Sequence, residues 1–199
     1  MNNAVRIIRD EHRSISAVLS GLQALAQLAQ DPAVRPDFEA LRAMIYYIDA
    51  FPERMHHPKE DRYLFARLLE RDPGARALVE KLQAEHVAGA DLVRELERAL
   101  LKFEELWPKG AADFAAAVER YAEFHWEHMR REEHELMPLA ERALTREDWR
   151  EIEAAFSGNL DPIADLRDAE FGRLFQRIVS LAPEPIGLGA RWQRTGGRS

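Results

Sequence analysis

Residues 56–68 read HHPKEDRYLFARL and residues 128–140 read HMRREEHELMPLA. Setting Leu64-Phe65 on Leu136-Met137 superposes His56 on His128 and Glu60 on Glu132, so His-x-x-x-Glu occurs twice, while His57 falls opposite Met129. A spacing of four puts each His and Glu on one helix face, about 6 Å apart along the axis. Upstream, Glu11-His12 recurs as Glu85-His86. The chain reads as two similar helical hairpins, over about 3–70 and 73–144.

Punctuation supports long helices. Asn2 or Asn3 caps a first helix running to about Gln30, which Asp31-Pro32 and Pro36 end. A second runs from about Asp37 to Glu70, a third from near Pro73 to about Leu106, and a fourth from about Ala111 to Leu144. Thr145 to Asp148 has the form of a capping box and opens a short fifth helix to about Phe156. A sixth short helix is expected over about 164–180, with an irregular Gly-, Pro- and Arg-rich tail after it. The expected fold is all-α, an up-down-up-down four-helix bundle over 1–145, with short extra C-terminal helices in 146–199.

In the first helix Val5, Ile8, His12, Ile15, Leu19 and Leu22 recur at steps of three and four, and in the third Val79, Leu82, His86, Val93 and Leu96 do the same. His12 and His86 therefore point inward. His12 lies about 18 residues before the end of its helix and His56 about 19 after the start of the next, so antiparallel packing at ~1.5 Å per residue levels them. The same count levels His86 with His128 and with Glu60. Four histidines and two glutamates converge on one layer.

Burying such groups costs several kcal/mol apiece unless they are paired or bind a cation, and no inward Lys or Arg matches them in the sequence. A metal is the natural counter-charge. Four nitrogens and two carboxylates exceed the usual donors of one zinc but suit two ions bridged by both carboxylates, and imidazole with carboxylate suits iron, with manganese or zinc as alternatives.

Composition narrows the rest. Charged residues make up 32% and hydrophobic ones 46%, which fits a helical globular chain. A net charge of -7 and the lack of a basic cluster before the C-terminus argue against nucleic acid. With no cysteine, thiolate metal sites, iron–sulfur clusters and cysteine nucleophiles are excluded. No stretch approaches the ~20 apolar residues of a membrane span and no signal-peptide core follows MNNAVRIIRDEH, so no membrane partner and a cytoplasmic location are expected.

The pattern EH, HHPKED with LF, EH, and HMxxEE followed by MPLAE resembles bacterial hemerythrin-like proteins with the HHE cation-binding domain, over roughly residues 3 to 145. The resemblance implies metal ligands at His12, His56, Glu60, His86, His128 and Glu132 and a non-haem di-iron centre, oxo- or hydroxo-bridged, that meets dioxygen, nitric oxide or peroxide. Oxygen-carrying hemerythrins use a His-x-x-x-His pair on the third helix, whereas Ala90 stands four residues after His86 here. The four-His, two-Glu set looks more like proteins linked to repair of iron–sulfur clusters, whose usual cysteine-bearing N-terminal segment has no counterpart in this sequence. Two classes of function follow: a binding protein whose di-iron centre takes up dioxygen or nitric oxide, or holds iron, as a sensor, scavenger or store, and a redox enzyme that reduces nitric oxide, decomposes peroxide or repairs clusters.

The remaining polar residues have plainer expected roles. His57 is about 100° round from His56 and His134 about 200° from Glu132, which places both on the surface or behind the ligands. His125, three residues before His128 on nearly the same face, is read as a core histidine, with orienting a ligand or supplying a substitute fifth nitrogen as the alternative. Asp61 and Glu133 are expected to face solvent or helix ends, and Tyr63 and Tyr121 to be core aromatics. Pro58 should bend the second helix at the site.

Overall fold

A computed structural model describes residues 2–158. Among them there is no strand, and four long helical rods form the bundle with a fifth helix across one end. The first, α1 (Asn3–Leu28), is capped by Asn2, whose side chain accepts from the Ala4 N–H at 3.1 Å. The second, α2 (38–71), is capped by Asp37 accepting from Ala40 at 2.9 Å. A turn at Pro73–Ala75 leads into α3 (Arg76–Leu106). The fourth, α4 (111–143), follows Gly110, whose φ of 92° only glycine adopts readily and where a Cβ would stand 3.2 Å from the Phe103 Cα. The last, α5 (Arg146–Ser157), begins at the expected capping box, Thr145 with Asp148. The sixth helix and the tail expected from the sequence lie outside the described residues.

α1 packs against α4 and α2, and α3 against α4 and α2, which is the square of an up-down-up-down bundle. The apolar core divides in two. One cluster joins Ile15, Leu19, Leu22, Tyr47, Phe51, Leu96, Phe103 and Phe114 toward the α1–α2 turn. The other joins Val5, Ile8, Leu64, Phe65, Leu136 and Met137 with Trp149, Ile152 and Phe156 of α5 at the opposite end. At ~1.5–3 kcal/mol for each large apolar side chain removed from water, these clusters clamp the bundle above and below the histidines.

Two rods are not plain α-helices. α2 widens to π-helical geometry over Asp49–His56 and Glu60–Phe65, and α4 over Glu132–Leu136. Pro52 lies inside the first stretch, Pro58 just after it and Pro138 just after the third; each lacks an N–H donor and its ring pushes aside the carbonyl four residues back. The expected bend at Pro58 is thus a local widening. The stretch Glu60–Phe65 has no proline of its own and lies beside the widened turn.

Candidate metal centre

α1 and α3 each contribute one histidine to the layer between the two clusters, and α2 and α4 each contribute a histidine and the glutamate four residues on. His12 and His56 meet Nε2 to Nε2 at 3.1 Å, and His86 and His128 do so at 3.2 Å. Two donors bound to one metal at ~2.1 Å and at right angles stand ~3 Å apart, so each pair is spaced as the ligands of a single ion.

Glu60 and Glu132 lie between the pairs. Glu60 Oε1 is 3.2 Å from His56 Nε2 and 3.9 Å from His12 Nε2, while its Oε2 is 3.6 Å from His86 Nε2. Glu132 reverses the lettering and keeps the arrangement: Oε2 is 3.4 Å from His12, and Oε1 is 3.3 Å from His128 and 3.7 Å from His86. Each carboxylate therefore turns one oxygen to each histidine pair. Both glutamates are 0% exposed, yet none of their four oxygens has a hydrogen-bond partner. A carboxylate buried this way costs several kcal/mol, and cations between the two glutamates are what the donor set fits.

A second ring of carboxylates fixes the histidines. Glu133 takes His12 Nδ1 at 2.9 Å, Glu11 takes His56 Nδ1 at 2.6 Å, Asp61 takes His86 Nδ1 at 3.2 Å and Glu85 takes His128 Nδ1 at 3.1 Å. With the proton on Nδ1, each Nε2 lone pair is left for a metal. Asp61 and Glu133 are thus not merely solvent-facing: their side chains are about one third exposed and bridge from the layer to the surface. Arg131, buried on the outer side, donates through Nη1 to both oxygens of Glu85 at 2.7 and 2.9 Å.

The carboxylates of the layer also favour the protonated imidazoles. Burial opposes charge on His86, but Asp61, Glu132 and Glu60 outweigh it and raise its pKa to about 9. His128 is raised to about 10 against the same burial by Glu132, Glu85 and Glu60. His12 and His56 are also raised, while Glu132 is lowered by the imidazoliums despite its burial.

The structure takes His57 off the surface, one of its two expected places. It is 4% exposed, and its ring stacks on that of His86 with centroids 4.2 Å apart and planes 10° from parallel. The reason is that α2 lies between α1 and α3: adjacent positions about 100° apart straddle its inward direction, so His56 meets His12 and His57 meets His86. Two groups of donor atoms lie within 4.8 Å of one another, His12, His56, Glu60 and Glu132 in one and His57, Glu60, His86 and His128 in the other. His125 is buried as expected, with neither ring nitrogen hydrogen-bonded, and packs near Tyr121. His134 is exposed, Tyr63 is half-buried and Tyr121 is fully buried with its hydroxyl donating to Glu53 at 3.0 Å. Burial raises the Glu53 carboxyl to about 7, against the pull of that hydrogen bond. Ser16 and Gly89, the small residues beside the inward histidines, have separate uses: Ser16 lines a groove, and Gly89 makes room for Glu53.

Two grooves lead from the surface toward the layer. One of about 620 Å³ opens between α1 and α4 over His12, Ser16 and Met129. The other, of about 310 Å³, opens between α2 and α3 over His86, His57 and Ala90. No helix among the described residues is long and apolar enough to cross a membrane. The family model of the hemerythrin HHE cation-binding domain matches residues 3–140. No curated protein matches the chain.

Proposed function

Because the chain belongs to the hemerythrin HHE cation-binding domain family, we propose that His12, His56, Glu60, His86, His128 and Glu132 hold two iron ions and that the loaded centre reacts with dioxygen, nitric oxide or peroxide. The observation that carries this reading is the division of Glu60 and Glu132, each with one oxygen toward either histidine pair. Imidazole and carboxylate donors suit iron; manganese and zinc are the competing occupants. Bound iron supplies a redox-active Lewis acid with coordination positions left over for a small molecule.

The chain's own residues select what reaches it. The Nδ1 carboxylates keep the imidazoles in the metal-binding tautomer. Ile15, Phe51, Leu64, Phe65 and Phe156 close the layer above and below, leaving the two lateral grooves as approaches. A hydrolytic two-metal site needs groups that recognise its substrate in an open cleft. The layer here is buried in mid-bundle, which favours small, weakly polar reactants over phosphate esters or peptides. Sensing, scavenging and iron handling all use this chemistry.

Protein purified from iron-replete cells should carry close to two iron atoms per chain, and its diferrous form should oxidise readily in air and change its optical spectrum with nitric oxide. A reproducible single zinc with no iron uptake on reconstitution would sink the di-iron reading. Indifference of the diferrous protein to both gases would remove the proposed reactivity, and reversible uptake of dioxygen without net oxidation would mark an oxygen carrier.

A further inference from the structure

We infer that His57 is a third imidazole donor to the ion on the α3 side, an assignment that rests on the two-ion reading above. A ring nitrogen of His57 already lies within 4.8 Å of donor atoms of Glu60, His86 and His128. Its stack on His86, nearly parallel at 4.2 Å, holds the ring at the level of the layer.

A second ground is a rule that His12, His56, His86 and His128 obey. Each directs Nε2 to the centre and gives Nδ1 to a carboxylate from another helix. His57 follows this plan in part: a carboxylate again stands beside Nδ1, Glu53 Oε2 at 3.4 Å, but it comes from the preceding turn of the same helix and the contact lacks hydrogen-bond geometry. Glu53 is itself positioned: its side chain is 5% exposed, Tyr121 donates to it at 3.0 Å, and a Cβ on Gly89 would stand 3.1 Å from its Oε1. A buried carboxylate so held has the use its counterparts have, to orient an imidazole toward a metal. His125 is the internal control. It is equally buried and, like His57 Nδ1, its nitrogens lack hydrogen bonds, but it belongs to neither donor group.

The two ions are then unequal. The α3-side ion takes three imidazoles and the α1-side ion two. On this assignment the α1-side ion would keep the more open coordination, on the side of the groove lined by Ser16 and Met129.

The test loads metal-free wild type and His57→Phe with ferrous iron under anaerobic conditions, measures the affinity for each ion, and records Mössbauer spectra. Phenylalanine keeps a ring beside His86 and removes the nitrogen; His57→Gln serves if the larger ring prevents folding. Wild type should bind two ions in two distinguishable environments. The variant should keep one ion at unchanged affinity and bind the other roughly tenfold or more weakly, beyond the lower end of what loss of an outer partner costs. Added imidazole should restore the second ion in His57→Gly. Two ions at wild-type affinity and with unchanged spectra in His57→Phe would overturn the assignment while leaving the two-ion centre standing. A wild-type protein that binds only one ion would overturn the two-ion reading itself, whatever the variants do.

Discussion

The α1 side and the α3 side of the centre are built on one plan and finished differently. Both present a pair of Nε2 atoms about 3 Å apart, both receive one oxygen from Glu60 and one from Glu132, and both tether each histidine through Nδ1. In the register of the repeat, however, His57 on the α3 side corresponds to Met129 on the α1 side, and Glu53 corresponds to His125. Behind Glu85 stands Arg131, with one nitrogen on both carboxylate oxygens, whereas the matching position behind Glu11 is Lys59, whose pKa burial lowers and Glu11 raises. The parts that balance charge are duplicated, because each cation needs the same anions. The parts one step further out have diverged.

Loss of a shared carboxylate should have the largest effect and should ignore the difference between the sides. Glu60→Ala and Glu132→Ala should each empty both ion positions, beyond the 10–100-fold typical of an outer partner. Elemental analysis after desalting decides it; retention of one full equivalent in either variant would show that the carboxylate serves one ion only.

Changes in the orienting carboxylates should separate the sides. Glu11→Gln should weaken the α1-side ion about 10–100-fold and leave the other nearly untouched, and Glu85→Gln should do the reverse. Titration with cobalt, whose visible spectrum reports its donors, would read the two steps apart. Equal weakening of both steps by either variant would break the comparison.

The difference between the sides can also be erased. Met129→His should give the α1-side ion an added nitrogen, tighten it about tenfold and slow the optical response to nitric oxide by filling the open position. An unchanged response would mean that the small molecule binds on the other side.

A smaller effect concerns the metal-free protein and pH. His86 and His128 are raised to about 9 and about 10 by the carboxylates around them, against burial. A raised histidine adds stability that is fully present below its unfolded pKa of ~6.5 and is lost as pH rises through the folded value. The urea midpoint of the metal-free chain should therefore decline between about pH 6.5 and 10, and metal uptake at neutral pH should release protons. A midpoint that rises over that window would show that the imidazoles are not held protonated.

The sequence by itself determined which residues share a height. A helix rises ~1.5 Å per residue whatever surrounds it, so the spacing of His12, His56, Glu60, His86, His128 and Glu132 from the turns was enough to bring them to one layer, and Asn2 or Asn3 and the Thr145 capping box marked two of the helix starts. What lies around an axis was decided only in the folded bundle. His57 reads as pointing away when one inward direction is assumed, but α2 has neighbours on two sides and π-helical turns about the site, so both His56 and His57 are buried. Asp61 and Glu133 likewise read as solvated second members of acidic pairs, and they reach His86 and His12 because those rings, anchored on other helices, present Nδ1 at the rim of the layer. Rise along a helix is a local property of the backbone, whereas the direction of a side chain acquires its meaning from the helices packed against it.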